Sequence, residues 1–402
     1  MKLQLLARPD HSLYLYNYLK KLLEIQFITY KVAKKNSLLH RLRPATKLVD
    51  KDVVILNDLT GFEQFVLLLS KKIRINPYKW EGYYSEFAFR RRASSFNPDI
   101  IHYWPVYCHL FAKRQREKKN ICTVADVYSA YPEYVLTSLE PEYEKHGLDI
   151  KTSYLLQNIR RNIDFLDHEN SIITNSQYVK QSILNYHPSK NVFVAEYGFL
   201  GDTKSLAYYH EALNFAKQNP LRILKLVFVG TVSIEKGVPY LLEALKKMRS
   251  STIELDIIGP IKFGQEMIFK PYFNVTGINF LGKKSNMEIK TILRKYSALV
   301  LPSLSDAYSL AVIEGLQNAL PVIVTTKTGN KDAVEKFTVG EVVSAANSDS
   351  LVNAIEKMTN PVYRSTLAEN IQNFIKSDIE NPYPEQVLKI YDLLVSKSKN
   401  PQ

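Results

Sequence analysis

Cysteine is nearly absent from this chain. Cys108 and Cys122 are the only two in 402 residues. That excludes the disulfide framework of a small secreted domain, and both sit in apolar contexts that suit buried thiols in a cytosolic protein. Long hydrophobic runs are missing too. No apolar stretch approaches the roughly 18 residues that read as a membrane-spanning helix. Met1 to Arg8 is too short, and too soon followed by Asp10, for a signal peptide. Glycine is sparse at 14 residues. None falls after the first apolar stretch, where the chain runs Arg8, Pro9, Asp10, His11. No nucleic-acid-binding motif accompanies the positive charge.

What is present is a chain of ordinary globular composition, 46% hydrophobic and 23% charged. It is long enough for two domains of about 150–200 residues each. The formal net charge of +13 is concentrated in the first 120 residues. Lys20, Lys21, Lys31, Lys34, Lys35, Arg41, Arg43, Lys71, Lys72, Arg90, Arg91, Arg92, Lys113, Arg114 and Arg116 are interleaved there with tyrosine and phenylalanine. Such a surface suits anionic lipid or a phosphorylated substrate better than nucleic acid, or it is simply a solvated basic face.

Strand-like and helix-like patterns alternate along the whole chain, which predicts parallel sheets. In the first half the expected strands are Lys2 to Ala7, Phe27 to Val32, Val53 to Leu56, a stretch from Pro98 to about His102, 121–127, 171–176 and Asn191 to Tyr197. Helical spacing is expected from Ser12 to Glu24 and over 62–72, 81–95, 106–118 and 150–168. Residues 199–221 read as a linker with a helical piece at about 205–217. In the second half, strands are expected at 226–230, 254–259, 278–283, 298–301 and 322–324, and an amphipathic helix at 383–395.

The most informative stretch is 299–329, LVLPSLSDAYSLAVIEGLQNALPVIVTTKTG. An apolar run closed by Pro302 gives way to a polar loop carrying Asp306. Leu310, Ile313, Leu316 and Gln317 then fall at helical spacing around Glu314, and Pro321 precedes the next strand. The loop thus lies at the carboxyl end of a strand and opens onto a helix N-terminus, where α/β sheets bind ligands and phosphate is favoured. Earlier, LVFVGTVSIEKGVPYLLEAL at 226–245 is strand, loop and helix. Gly230 ends its strand, and Lys236 precedes Gly237.

These two stretches resemble the signature blocks of the family 4 retaining glycosyltransferases, closely over about 222–360 and weakly elsewhere. The family has a glutamate at both acid positions; here the first is Asp306 and the second Glu314. Ala307 stands for its glycine, Tyr308 for phenylalanine, Ser309 for a second small residue, and Thr231 for its arginine, while Lys236 matches. Ser129, Glu142, Tyr143 and Gly147 match a subgroup of the family. Two features depart from it. The glycine-rich loop after the first strand is missing. So is the histidine expected after the strand at 121–127, where Ala125 or Tyr131 aligns and Asp126 is the only charged group. The literal Asp-x-Asp of Asp50 and Asp52 precedes its strand, unlike the metal-binding pair of other glycosyltransferases, and reads as a surface turn.

The resemblance implies a GT-B fold: two doubly wound α/β Rossmann-like domains facing a cleft. The acceptor-binding domain would span 1–198, a linker 199–221 and the donor-binding domain 222–376. A final helix within 377–402 would cross back onto the first domain. It implies metal-independent transfer of a sugar, with retention, from a UDP- or GDP-linked donor to a growing bacterial surface glycan or lipid-linked glycan. No other cofactor and no metal are called for. Asp306, Lys236 and Asp126 are the expected catalytic residues. Gly230, Thr231, Lys236, Tyr308, Ser309, Leu310 and Glu314 are expected to hold the nucleotide. The expected location is cytoplasmic, peripheral at the inner membrane face if the basic residues share one surface. Two other readings fit the departures: a catalytically impaired homologue that scaffolds glycan assembly, and a GT-B-shaped enzyme of other chemistry such as a sugar-nucleotide epimerase.

Overall fold

The structure is a computed structural model that describes residues 1–6, 11–29, 33–34, 48–49, 53–55, 96–150, 164–199, 204–219, 221 and 223–399. Apart from a two-stranded pair of Ala33–Lys34 with Leu48–Val49, its described strands form two large parallel sheets. The first contains β1 (Lys2–Leu6), β2 (Glu24–Thr29), β3 (Val54–Ile55), β4 (Ile100–Tyr103), β5 (Cys122–Val127), β6 (Ser171–Thr174) and β7 (Asn191–Val194), in the order β3-β2-β1-β4-β5-β6-β7. The second contains β8 (Leu224–Val229), β9 (Ile253–Ile258), β10 (Ile278–Gly282), β11 (Ala298–Leu301), β12 (Val322–Thr325) and β13 (Gly340–Val343), in the order β10-β9-β8-β11-β12-β13. Each sheet therefore starts at its middle, winds to one edge, returns and winds to the other. The reversal leaves a crevice at the carboxyl ends of β1 and β4, and of β8 and β11.

The sequence reads as strand here because a parallel sheet is covered by helices on both faces, so its central strands are apolar throughout. Ala298 to Leu301 and Val322 to Val324 are buried at every position. Seven helices matter for the site: α1 (His11–Leu19), α2 (Pro132–Lys145), α3 (Ser205–Gln218), α4 (Val238–Met248), α5 (Leu310–Gln317), α6 (Pro361–Glu380) and α7 (Tyr383–Lys399).

Three details differ from the spacing-based expectations. The first helix stops at Leu19, and β2 begins at Glu24 rather than Phe27, because Glu24 to Ile28 lie in parallel register with Lys2 to Leu6. Asp164–Asp167 is a 3₁₀ turn at the end of the helix expected over 150–168, whose residues 151–163 lie outside the described residues. Helix α6 occupies 20 residues for which no element was anticipated. The Asp-x-Asp pair, the helices expected at 62–72 and 81–95, and most of the basic residues between 31 and 92 lie outside the described residues.

The final helix does return to the first sheet's side. Tyr18 in α1 donates to Glu385 at 2.6 Å, and the backbone N–H of Glu196 donates to Gln386 at 3.0 Å. Cys108 and Cys122 are free thiols, the first buried. No helix among the described residues is long and apolar enough to cross a membrane.

Candidate active site

Two loops meet at the crevice of the second sheet, one leaving β8 and the other β11. Gly237 makes their approach possible. It sits at φ +64°, and a Cβ there would fall 1.8 Å from the Pro302 carbonyl oxygen, so only glycine fits both the backbone and the space. Leu304 N–H then donates to the Glu235 carbonyl at 2.9 Å. The result brings together residues 70 positions apart: Lys236 Nζ lies 2.6 Å from Asp306 Oδ2. The Lys236 side chain is 30% exposed and that of Asp306 10%, so the pair faces the opening without being dissolved in solvent.

Glu314, a turn inside α5, is half-buried. Burial pushes its carboxyl above the usual range, with Lys290 pulling the other way. Among the described residues its side chain has no hydrogen-bond or ionic partner. An unpaired carboxylate in that position can accept two hydroxyl hydrogens from a ligand. Leu310, at the start of α5, is half exposed. Ser309 N–H is already engaged by Asn330 Oδ1 at 2.7 Å, which leaves the amides of Leu310 and Ala311 as the first-turn donors. Asn330 was missed by sequence reasoning. Its one signal is its place just past a strand and a glycine, in TKTGN.

The remaining expected residues are spread out. Gly230 follows β8 directly and Thr231 is exposed beside it. Tyr308 packs edge-on against Tyr197 of the first half, ring centroids 5.7 Å apart, with its hydroxyl buried. That burial pushes its phenol well above the ordinary value. Asp126 is not at the opening. It is 2% exposed, accepts from Trp104 Nε1 at 3.2 Å and lies 3.3 Å from His102 Nε2. His102 in turn meets the hydroxyl of Tyr391 on α7 at 2.5 Å. The position therefore reads as an internal strut, as its neighbours enclose it on several sides.

The first half reaches into the second half's loops at several further points. Ser176 Oγ donates to the Ala307 carbonyl at 2.7 Å, and Tyr178 and Ser305 hydroxyls lie 2.8 Å apart. Gly329 lets this happen, since a Cβ there would strike the Ala307 carbonyl oxygen at 1.8 Å and Ser176 Oγ at 2.7 Å. Helix α2 adds another set of contacts. Its Tyr143 hydroxyl donates to Glu235 and takes bonds from Lys262 Nζ at 2.9 Å and Gln265 at 3.2 Å. Its Glu142 accepts from Tyr240 at 2.6 Å. Glu235 also pairs with Lys262. Burial raises its carboxyl pKa, but the bonds from Lys262 and Tyr143 outweigh burial and hold it below the usual range. Its Oε2 is buried without a hydrogen-bond partner. Adjacent residues thus point two ways, Glu235 toward the first half and Lys236 toward Asp306.

Comparison with known proteins fits this layout. Residues 210–374 match the glycosyl transferases group 1 family. An uncharacterized glycosyltransferase of Methanocaldococcus jannaschii is 28% identical over 258 residues, which cover 62% of this chain and 67% of that one. The UDP-Gal:alpha-D-GlcNAc-diphosphoundecaprenol alpha-1,3-galactosyltransferase of Escherichia coli is 27% identical over 179 residues. That match spans 43% of this chain and less than half, 45%, of the relative's length. Among solved structures, Anabaena HepE in complex with UDP superposes with a TM-score of 0.59 at 14% identity, over 98% of this chain and 100% of that one. At that identity the likeness speaks for the fold alone. The match of residues 210–374, the doubly wound pair of sheets and the loops at their crevice together make this chain similar to the group 1 glycosyltransferases, and its fold is GT-B.

Proposed function

We propose that the chain transfers a hexose, with retention of anomeric configuration, from a UDP- or GDP-linked sugar to a growing bacterial surface glycan, whether lipopolysaccharide, capsule or exopolysaccharide. The observation that carries the reading is the 2.6 Å contact of Lys236 with Asp306 at the crevice, with unpaired Glu314 on the helix behind it. Breaking the bond between sugar and diphosphate builds negative charge on the departing phosphate and positive character on the sugar. Catalysis then rests on fixed positive potential at the phosphate. Lys236 and the Leu310 and Ala311 amides supply it.

In this scheme the empty-handed lysine is neutralised by Asp306. An arriving diphosphate takes over Lys236 and releases the Asp306 carboxylate toward the donor sugar's hydroxyls. Glu314 holds the ribose hydroxyls. The acceptor attacks from the leaving-group side, and the departing phosphate oxygen takes its proton, so no first-domain base is required. The enclosed position of Asp126 is compatible with that path, and transfer is expected to persist in EDTA. The E. coli relative acts on a diphosphoundecaprenol-linked sugar, which supports a lipid-linked acceptor and hence work at the inner face of the membrane. The same Lys236–Asp306 contact also suits a decayed homologue whose phosphate site is shut and whose role is scaffolding.

The deciding experiment is a thermal-shift screen of UDP, GDP and their sugars, followed by transfer to lipid-linked acceptors and assignment of the new linkage by NMR. Stabilisation by one nucleoside diphosphate and a product of the donor's configuration are expected. Absence of any nucleotide response would leave the scaffold reading, and an inverted product would overturn retention.

A further inference from the structure

A cavity lies at the opposite end of the second sheet from the crevice, at the amino ends of β8, β11 and β12, where Lys225, Ser297 and Pro321 line it. It is closed on its other sides by the end of α3 and the first turns of α6, and its volume is about 580 Å³. That is within the range of pockets that hold a small organic ligand. Its floor is apolar, with Leu213, Leu320, Pro321 and Ala368, and Phe215 lies 40% exposed beside them.

The lining is charged in one sense only. Among the described residues, Lys217, Lys225, Arg294, Lys295 and Arg364 face it and no acid does. Three of these are held from outside: Lys217 by Glu369 at 3.0 Å, Lys225 by Glu254 at 3.1 Å and Arg294 by Glu211 at 2.7 Å. Lys295 has no ionic partner among the described residues. Arg364 donates to the backbone carbonyls of Met358 and Thr359 and stays uncompensated by an acid. Arg294 keeps its Nε buried and without a hydrogen-bond partner. The cavity is therefore electropositive.

The neutral polar groups of the lining are mostly spent. Asn219 Nδ2 donates to the Phe215 carbonyl, Asn318 Nδ2 to the Glu314 carbonyl, and Ser297 Oγ accepts from Lys225 N–H. A nucleobase or a sugar would find few partners here. An apolar body carrying one anionic group would find a floor and a cationic rim.

We propose that this cavity is a binding site for a single-chain lipid phosphate, its phosphate between Arg294 and Lys295 and its chain along Leu213, Leu320 and Pro321. The probe is dodecyl phosphate, below its micelle concentration, titrated into the full chain by calorimetry. One-to-one binding is expected, with dodecyl maltoside giving no heat, inorganic phosphate binding far more weakly, and UDP failing to compete. Lys295 is exposed, so Lys295→Glu should fold normally and weaken the probe by about tenfold or more. Ser365→Trp, which covers the mouth of the cavity, should abolish binding by a different route. Equal affinity in both variants would overturn the site. So would displacement by UDP, which would put the probe in the crevice. Binding only to phosphatidylglycerol vesicles, with no binding of the monomer, would replace the pocket by a merely basic surface.

Discussion

Strands β4 and β11 hold equivalent places in their sheets, each just past the reversal of strand order, yet they end in opposite ways. Beyond β11 the chain opens into a loop whose Asp306 meets Lys236 at the edge of solvent. At the end of β4, His102 and Trp104 are 0% and 3% exposed, and they close on Asp126 under Tyr391 of the returning helix. The same topology offers a crevice twice, and the C-terminal helix plugs one of the two. An acid at the end of a strand is thus presented at the opening in one half and enclosed in the other. What decides is whether another element covers it.

The largest expected effect tests the plugged side. Asp126→Ala strips His102 and Trp104 of their shared partner, and breaking a buried polar arrangement of this kind costs about 3–5 kcal/mol. Urea unfolding should show that loss, with nucleoside diphosphate affinity unchanged in the folded fraction. Normal stability with transfer abolished would mean that Asp126 does reach the substrate.

The seam between the halves comes next. Asp378 accepts from Phe199 N–H at 3.1 Å, and burial pushes its carboxyl up to about 6 from 3.8. A carboxyl raised on folding contributes its stability below the ordinary carboxylate range and loses it as pH rises through about 6. Asp378→Asn should therefore be neutral near pH 4 and stabilising above pH 7, by at most about 3 kcal/mol for a shift of this size. A gain confined to acid pH would reverse the assignment.

The open side is tested by a pair of variants. Lys236→Ala should weaken nucleoside diphosphate by about 1.5–3 kcal/mol and leave free nucleoside alone. Asp306→Asn should bind the diphosphate as well or better, since Lys236 is released, while turnover falls. Equal losses for both ligands in calorimetry would remove Lys236 from the phosphates. The smallest effect is expected for Tyr143→Phe, which deletes one hydroxyl from the Glu235–Lys262 contact and should cost about 1 kcal/mol. It should appear as a rise in KM for the donor with stability nearly unchanged.

Much of the open side was legible in the sequence. Strand, loop and helix follow one another there within about twenty residues, so local spacing alone put Lys236 and Asp306 on loops at strand ends. Their contact was not legible, because it depends on Gly237 letting two loops 70 positions apart approach each other. The plugged side was not legible. His102 and Tyr391 are 289 positions apart, and no local pattern marks Asp126 as enclosed rather than presented. Glu142 and Tyr143 stood out as a motif, but their partners Tyr240 and Glu235 lie in the other half. Asn330 escaped because its task, holding the Ser309 amide, depends on two loops converging.

The bond from Ser176 to the Ala307 carbonyl has a thermodynamic corollary. On the proposed reading, in which the second half takes the donor and the first the acceptor, the loop that carries Asp306 would serve the donor while being shaped partly by the acceptor's half. A ligand that drew the halves together would then firm that loop, and a donor that firmed the loop would draw the halves together. The two affinities would be linked by one coupling free energy. Whatever factor the acceptor adds to donor binding, the donor must add to the acceptor's.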